Sequence, residues 1–143
     1  MKIAIGSDHG GYGLKQQIVA FLDKQGYTFK DYGHYDASSC DYNDVAKVVA
    51  NDVSEGKVDR GILICGTGIG MSIQANKVKG IRAALVHDCF TAEMTRLHND
   101  SNVLAMGGRV IGIDLALHIV KIWLETPFSD ADRHQRRIDK IEK

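Results

Sequence analysis

Net charge is the first thing this chain lacks. Its 18 lysines and arginines are matched by 18 aspartates and glutamates, and nothing in that balance calls for nucleic acid or an anionic membrane as partner. No stretch approaches the roughly 20 apolar residues needed to span a bilayer. The opening residues, Met1-Lys2-Ile3-Ala4-Ile5-Gly6, enter a strand pattern at once, without the apolar run and cleavage site of a secretory leader. Cysteine is sparse. Cys40, Cys65 and Cys89 are odd in number, widely spaced and form no CxxC pair, which argues against a disulfide framework and for reduced thiols in the cytoplasm. No standard metal-ligand spacing occurs, so no metal is expected. Internal repeats, low-complexity segments and a second-domain boundary are also missing. A chain of 143 residues, 44% hydrophobic and 25% charged, is expected to form one domain over residues 1–143 with a substantial core.

What is present alternates between short apolar runs and helical periodicity. Residues 2–6, 27–32, 61–65, 81–86 and 101–106 read as strands. Between them lie helical patterns from about Gly13 to Gln25, then one carrying Val45, Val48, Val49 and Val53, one ending near Lys77, and one over roughly 89–97. Asp41 or Asn43 is placed to cap the second of these. A strongly amphipathic stretch follows at 112–125, with Leu115, Ile119, Ile122 and Trp123 expected in the core. Pro127 breaks the chain, and a charged helix is expected over about 130–142. Alternating strand and helix predicts an α/β fold: a three-layer αβα sandwich, Rossmann-like, with a five-stranded parallel sheet in the order 2-1-3-4-5. In such folds the site lies beyond the carboxyl ends of the strands.

The residues after the strands carry the chemistry. The first strand runs into Asp8-His9-Gly10-Gly11, where Asp8 and His9 face the crevice or, alternatively, serve as a helix cap and a surface residue. The third ends at Cys65, followed by Gly66-Thr67-Gly68-Ile69-Gly70 and a helix. A strand-end cysteine is often an inert core residue. Three glycines in five residues tip the balance, because they let a backbone approach a ligand closely. A thiol beside a helix N-terminus is favoured as thiolate, and the same amides can hold an oxyanion. A base next to an oxyanion cradle suggests proton abstraction beside a carbonyl, with the Thr67 hydroxyl able to relay a proton. His98, in Leu97-His98-Asn99-Asp100, is a candidate general acid or base, or else a loop histidine among turn formers. Arg109 places a cation after the fifth strand. Arg133 and Arg137 share one helix face, which suits a phosphate or a plain solvated surface.

Taken together, Ile3-Ala4-Ile5-Gly6-Ser7-Asp8-His9-Gly10-Gly11, Asp41-Tyr42, Ile64 to Gly70, Ala75-Asn76-Lys77, Gly80-Ile81-Arg82-Ala83-Ala84, His98 to Leu104 and Arg133-His134-Gln135-Arg136-Arg137 resemble the ribose-5-phosphate isomerase B family of sugar-phosphate isomerases. The resemblance implies interconversion of ribose 5-phosphate and ribulose 5-phosphate, in the non-oxidative pentose phosphate pathway, without metal or cofactor. It implies Cys65 as the base, the Gly66, Gly68 and Gly70 amides as enediolate holders, Thr67 as proton relay and His98 as the group that opens the furanose. It further implies Asp8, His9, Tyr42 and Asn99 as sugar ligands, and Arg109, Arg133, His134 and Arg137 as phosphate ligands. The family is at least dimeric, dimer or tetramer, and each site draws on two chains. Some members place a glutamate base just after the glycine loop. Met71 stands there in this chain, which therefore fits the cysteine branch. The family often has proline after the Asp-Tyr pair, where this chain has Asn43.

Several rivals compete. A dinucleotide enzyme would use the glycine loop with Asp88 on the ribose, but the spacing is GxGxG rather than GxGxxG. Galactose-6-phosphate isomerase subunits tend to lack the full His-Asn-Asp and Arg-His-x-x-Arg sets found in this chain. Allose 6-phosphate is a further candidate substrate. A non-catalytic sugar-phosphate sensor would not need the set Cys65, Thr67 and His98.

Overall fold

Eleven elements alternate along the chain in the computed structural model, which describes residues 1–36 and 38–143. They are β1 (Lys2–Ser7), α1 (Tyr12–Lys24), β2 (Thr28–Asp31), α2 (Tyr42–Ser54), β3 (Arg60–Cys65), α3 (Ile69–Ala75), β4 (Ala83–Leu85), α4 (Cys89–Asn99), β5 (Val103–Gly107), α5 (Ile113–Glu125) and α6 (Asp132–Ile141). One residue of the polar 33–41 connection, residue 37, lies outside the described residues. The all-parallel five-stranded sheet is covered on both faces, so β1, β3 and β5 are buried almost throughout.

The strand order corrects the expected 2-1-3-4-5: it is β2-β1-β3-β5-β4. The reason lies in the strands themselves. All five residues of β5 are buried, whereas β4 has three residues and its Leu85 is 40% exposed, the character of a short edge strand. Handedness carries the exchange into the helix layers. A right-handed crossover fixes the face of its helix by the direction the chain travels across the sheet. The chain travels one way in β1 to β2 and in β4 to β5, so α1 and α4 share a face. There they pack with α5 around Ile3, Ile18, Ala92, Leu104, Ile119 and Trp123. It travels the other way in β2 to β3 and in β3 to β4. That puts α2 and α3 opposite, around Ala4, Val49, Leu63 and Met71. In the order 2-1-3-4-5, α4 would have joined α2 and α3.

On α5 the buried stripe is Ala116, Ile119, Val120, Trp123 and Leu124. Leu115, expected in the core, is 39% exposed, and Ile122 is only partly buried, because the face turned to the sheet begins one residue later. Trp123 is fully buried, with its Nε1 donating to Ser101 Oγ at 2.9 Å. Near the carboxyl ends of β1 and β2, the buried Lys15 ammonium lies 2.7 Å from Asp31, with the Tyr12 and Tyr35 rings within reach. Asp31 also accepts from Gly33 N at 2.8 Å, and Gly33 O accepts from Ser7 N at 2.6 Å. The pair thus fixes the loop against the last residue of β1. Asp41 occupies the N-cap of α2 without a side-chain cap bond. Asn43 falls in the first helical turn, where proline would also fit, and its Nδ2 donates to Gln74 Oε1 on α3 at 3.2 Å.

Candidate active site

Cys65 ends the central strand β3, flanked by β1 and β5. Its side chain is buried, and Sγ accepts the Gly68 N–H at 3.0 Å, a contact in which a thiolate is a better acceptor than a thiol. Gly68 makes this possible. It has φ +77°, the left-handed conformation that side chains disfavour, and a Cβ there would stand 2.6 Å from Leu85 and 2.7 Å from the Met106 carbonyl carbon. The turn after β5 clamps the loop from the other side. Gly108 N donates to Cys65 O at 2.8 Å and Arg109 N to Gly66 O at 3.0 Å.

Other predicted residues gather around this loop. Arg109 is exposed and lies over Gly66, where an added Cβ would sit 3.2 Å from Nη1. The Tyr42 ring covers Gly70, whose absent Cβ would lie 2.6 Å from it. Thr67 is exposed, and its Oγ1 accepts from Ile69 N at 3.3 Å. Asp8 is buried. Its carboxylate accepts from Gly11 N at 3.1 Å, and its own amide donates to Ile64 O, beside Cys65. His9 is half-buried and takes the Cys40 amide on Nδ1 at 3.4 Å. A cavity of about 350 Å³ opens beside it between β1 and α2, lined by Ser7, His34, Tyr35, Cys40 and Asp41 among others.

The remaining candidates form a second cluster at the opposite edge of the sheet. His98 and Asn99 are the last residues of α4, not part of the following loop. That helix runs back to the amino end of β5, whereas Cys65 pairs with Gly107 at its carboxyl end. The four steps from Val103 to Gly107 alone span about 13 Å. The His98 ring packs on His134, with centroids 4.4 Å apart. Arg133 Nε donates to His134 Nε2 at 3.3 Å, so the imidazole proton sits on Nδ1, 2.8 Å from Ser129 Oγ. Burial, then the charges of His98, Arg133 and Arg137, hold His134 below the ordinary imidazole pKa. Arg133 and Arg137 are exposed, and among the described residues neither has a carboxylate within ion-pair distance. One chain therefore carries two separate clusters, a thiol with its amide loop at the carboxyl ends of the strands and a group of imidazoles and guanidiniums around the end of α4.

This arrangement extends over the length matched by the family model for ribose/galactose isomerase, residues 3–141. The chain belongs to the ribose/galactose isomerase family. Ribose-5-phosphate isomerase B of Escherichia coli is 48% identical over 140 residues, covering 98% of this chain and 93% of that protein. The structure of Clostridium thermocellum ribose-5-phosphate isomerase B superposes with a TM-score of 0.97 at 54% identity, covering 99% of this chain and 95% of that one. A D-erythrulose-4-phosphate isomerase of Pectobacterium atrosepticum is 47% identical over 130 residues, covering 90% of this chain and 85% of that protein.

For this member of the ribose/galactose isomerase family, three features went unread in the sequence. His87 follows β4, and its Nε2 accepts the Gly107 N–H at 2.9 Å, which requires the neutral ring. Burial holds its pKa below the ordinary value. A search just beyond every strand would have found it. Lys15, a cation inside the first helical pattern, is wholly buried against Asp31. Arg82 stood in a matched segment without a role, and it holds the end of α4. Among the described residues, no three His, Cys, Asp or Glu side chains are arranged to hold a metal ion, and no helix is long and apolar enough to cross a membrane.

Proposed function

We propose that this protein interconverts ribose 5-phosphate and ribulose 5-phosphate through an enediolate. The observation that carries the proposal is the Cys65 sulfur, buried at a strand end and bonded to the Gly68 amide of a loop whose Gly66 lies under Arg109. In the aldose-to-ketose direction the thiolate removes the C2 proton. The C2–H electron pair becomes the C1–C2 double bond, and the carbonyl oxygen at C1 takes up negative charge. Amides of the 66–70 loop hold the two oxygens, and fixed donors of this kind are worth about 3–4 kcal/mol in a transition state. Thr67 passes the proton from the C2 hydroxyl to O1. The Cys65 thiol then returns its proton to C1, which leaves a ketone at C2. Neither metal nor cofactor takes part.

The two clusters of one chain lie toward opposite ends of β5, so the proposal requires a second copy, as homodimer or tetramer. Cys65, Asp8, His9, Tyr42 and Arg109 of one chain meet His98, Asn99, Arg133 and Arg137 of the other. There His98 opens the furanose and the arginines take the phosphate, with His134 orienting Arg133 and closing the phosphate side. The three free cysteines fit a reducing compartment, the cytoplasm. The four-carbon substrate in the name of the Pectobacterium relative favours testing substrate length as well.

The test is ketose formation from ribose 5-phosphate with EDTA present, alongside Cys65→Ala, erythrose 4-phosphate and allose 6-phosphate. We expect metal-independent turnover on ribose 5-phosphate that falls at least a hundredfold in the variant, roughly the contribution of a positioned base, while the variant still binds sugar phosphate. Near-normal turnover in Cys65→Ala would remove the thiol from the mechanism. A marked preference for another aldose phosphate would reassign the substrate and keep the chemistry.

A further inference from the structure

We infer that Arg82 is a positioning residue for the half-site presented to the other chain, an inference that rests on the two-chain site proposed above. Arg82 stands just before the edge strand β4, and its side chain is largely buried, with 17% exposure. Its Nε donates to Asn99 O at 2.8 Å and its Nη2 to Asp100 O at 2.9 Å. These are carbonyls that a helix leaves open at its C-terminus, where a cation is also favoured. Its Nη1 reaches Glu142 at 2.5 Å, just past the end of α6. One planar guanidinium thus joins the end of the helix that carries His98 and Asn99 to the end of the helix that carries Arg133 and Arg137.

The root of this clamp is itself fixed. Asn102 Oδ1 accepts Arg82 N at 2.8 Å, and Asn102 Nδ2 donates to Gly80 O at 2.8 Å. On the next residue, the Asn76 side chain bonds both Ala83 N and Ala83 O, at 2.8 and 2.9 Å. The target is the left-handed turn that ends the helix: Asp100 closes α4 with φ +44°. Without the fork, α4 and α6 still touch through His98 and His134, but their ends are no longer tied. The imidazole and the guanidiniums would then reach the sugar and its phosphate at the wrong separation. Lysine cannot replace the fork, because a single ammonium does not present paired in-plane donors.

The experiment uses Arg82→Met, His98→Ala and Cys65→Ala in full-length chains, each purified alone and as tag-selected mixed pairs. Arg82→Met alone is expected to lose turnover by about tenfold to a hundredfold, the scale of a misplaced catalytic group. Paired with Cys65→Ala, it leaves one wholly intact site of two, and about half the normal turnover returns. Paired with His98→Ala, it leaves no intact site, and turnover stays at or below the level of Arg82→Met. A general folding defect would be relieved equally by either partner. Restoration by both partners, or by neither while the Cys65→Ala and His98→Ala pair is restored, would overturn the role of Arg82 and leave the two-chain site standing. Failure of that control pair would overturn the two-chain site itself. If Arg82→Met does not fold, Arg82→Lys goes through the same pairings with the same expected outcomes.

Discussion

Adding one methyl group at Gly68 should damage this protein more than a surface loop position would suggest. The residue has φ +77°, and an L side chain in that conformation costs about 1–2 kcal/mol. Alanine recovers about 0.4–1 kcal/mol of this by narrowing the unfolded ensemble. The new Cβ would also stand 2.6 Å from Leu85 Cδ1 and 2.7 Å from the Met106 carbonyl carbon. Leu85 lies on an exposed edge and can turn aside. Met106 is main chain in a fully buried strand and cannot, and overpacking of that kind costs about 1–3 kcal/mol. The sum is a loss of about 1–5 kcal/mol, a large share of a typical domain's stability of about 5–15 kcal/mol. Catalysis should suffer with it, since the displaced amide is the one that bonds Cys65 Sγ. Gly13→Ala is the matched control, because its Cβ meets nothing within 4 Å and its residue lies inside α1. It should gain about 0.5–1 kcal/mol. Urea unfolding at one fixed protomer concentration measures both, since association shifts apparent stability. A Gly68→Ala protein within about 0.5 kcal/mol of the parent, with full turnover, would refute the reasoning.

Stability should fall as pH drops below the ordinary imidazole range. His87 and His134 both have lowered folded-state values, so the unfolded chain binds their protons first, and stability present above about pH 6.5 is lost on acidification; urea midpoints at pH 7.5 and 5.5 test this, and replacing His87 with glutamine should flatten the change. Lys15→Met should cost about 3 kcal/mol, the low end for a broken buried pair because Asp31 keeps 25% exposure. A thermal melt that does not move would show that the pair contributes nothing. Arg137→Ala should raise KM for the sugar phosphate about tenfold to a hundredfold, as the loss of a charge-assisted bond of about 1.5–3 kcal/mol implies, with a smaller change in kcat.

Periodicity and strand-end chemistry were enough to read the αβα sandwich, the parallel sheet and the Cys65 loop from the sequence, because each is encoded locally. The order of the last two strands was not, since both β4 and β5 read as apolar runs. Only competition for the interior separates Ala83–Leu85 from the wholly buried Val103–Gly107. Leu115 was misassigned for a similar reason: a stripe one residue over, from Ala116 to Leu124, meets the sheet. The residues of both clusters were visible as types, yet their separation was not. Helix direction supplies it, since a helix following a parallel strand returns to the amino edge, and His98 ends such a helix. Lys15 and Arg82 escaped because long cationic side chains look solvent-bound until a partner such as Asp31 or Asn99 O is placed beside them.

The exchange of β4 and β5 also sets a timetable for synthesis. β3 emerges from the ribosome with β1 available on one side, but its other neighbour is not the next strand made. That place stays empty until Val103–Gly107 has been translated, and β4 meanwhile has no strand to pair with. At about 5–20 residues per second, the 42 residues from Cys65 to Gly107 (107 − 65) take about 2–8 s. Throughout that interval the nascent sheet presents the apolar edge of β3, Gly61 to Cys65, to whatever binds an unpaired strand. The last strand made is thus the keystone, and a chain truncated before it would leave the thiol at an open edge, without the Gly108 and Arg109 amides that hold its loop.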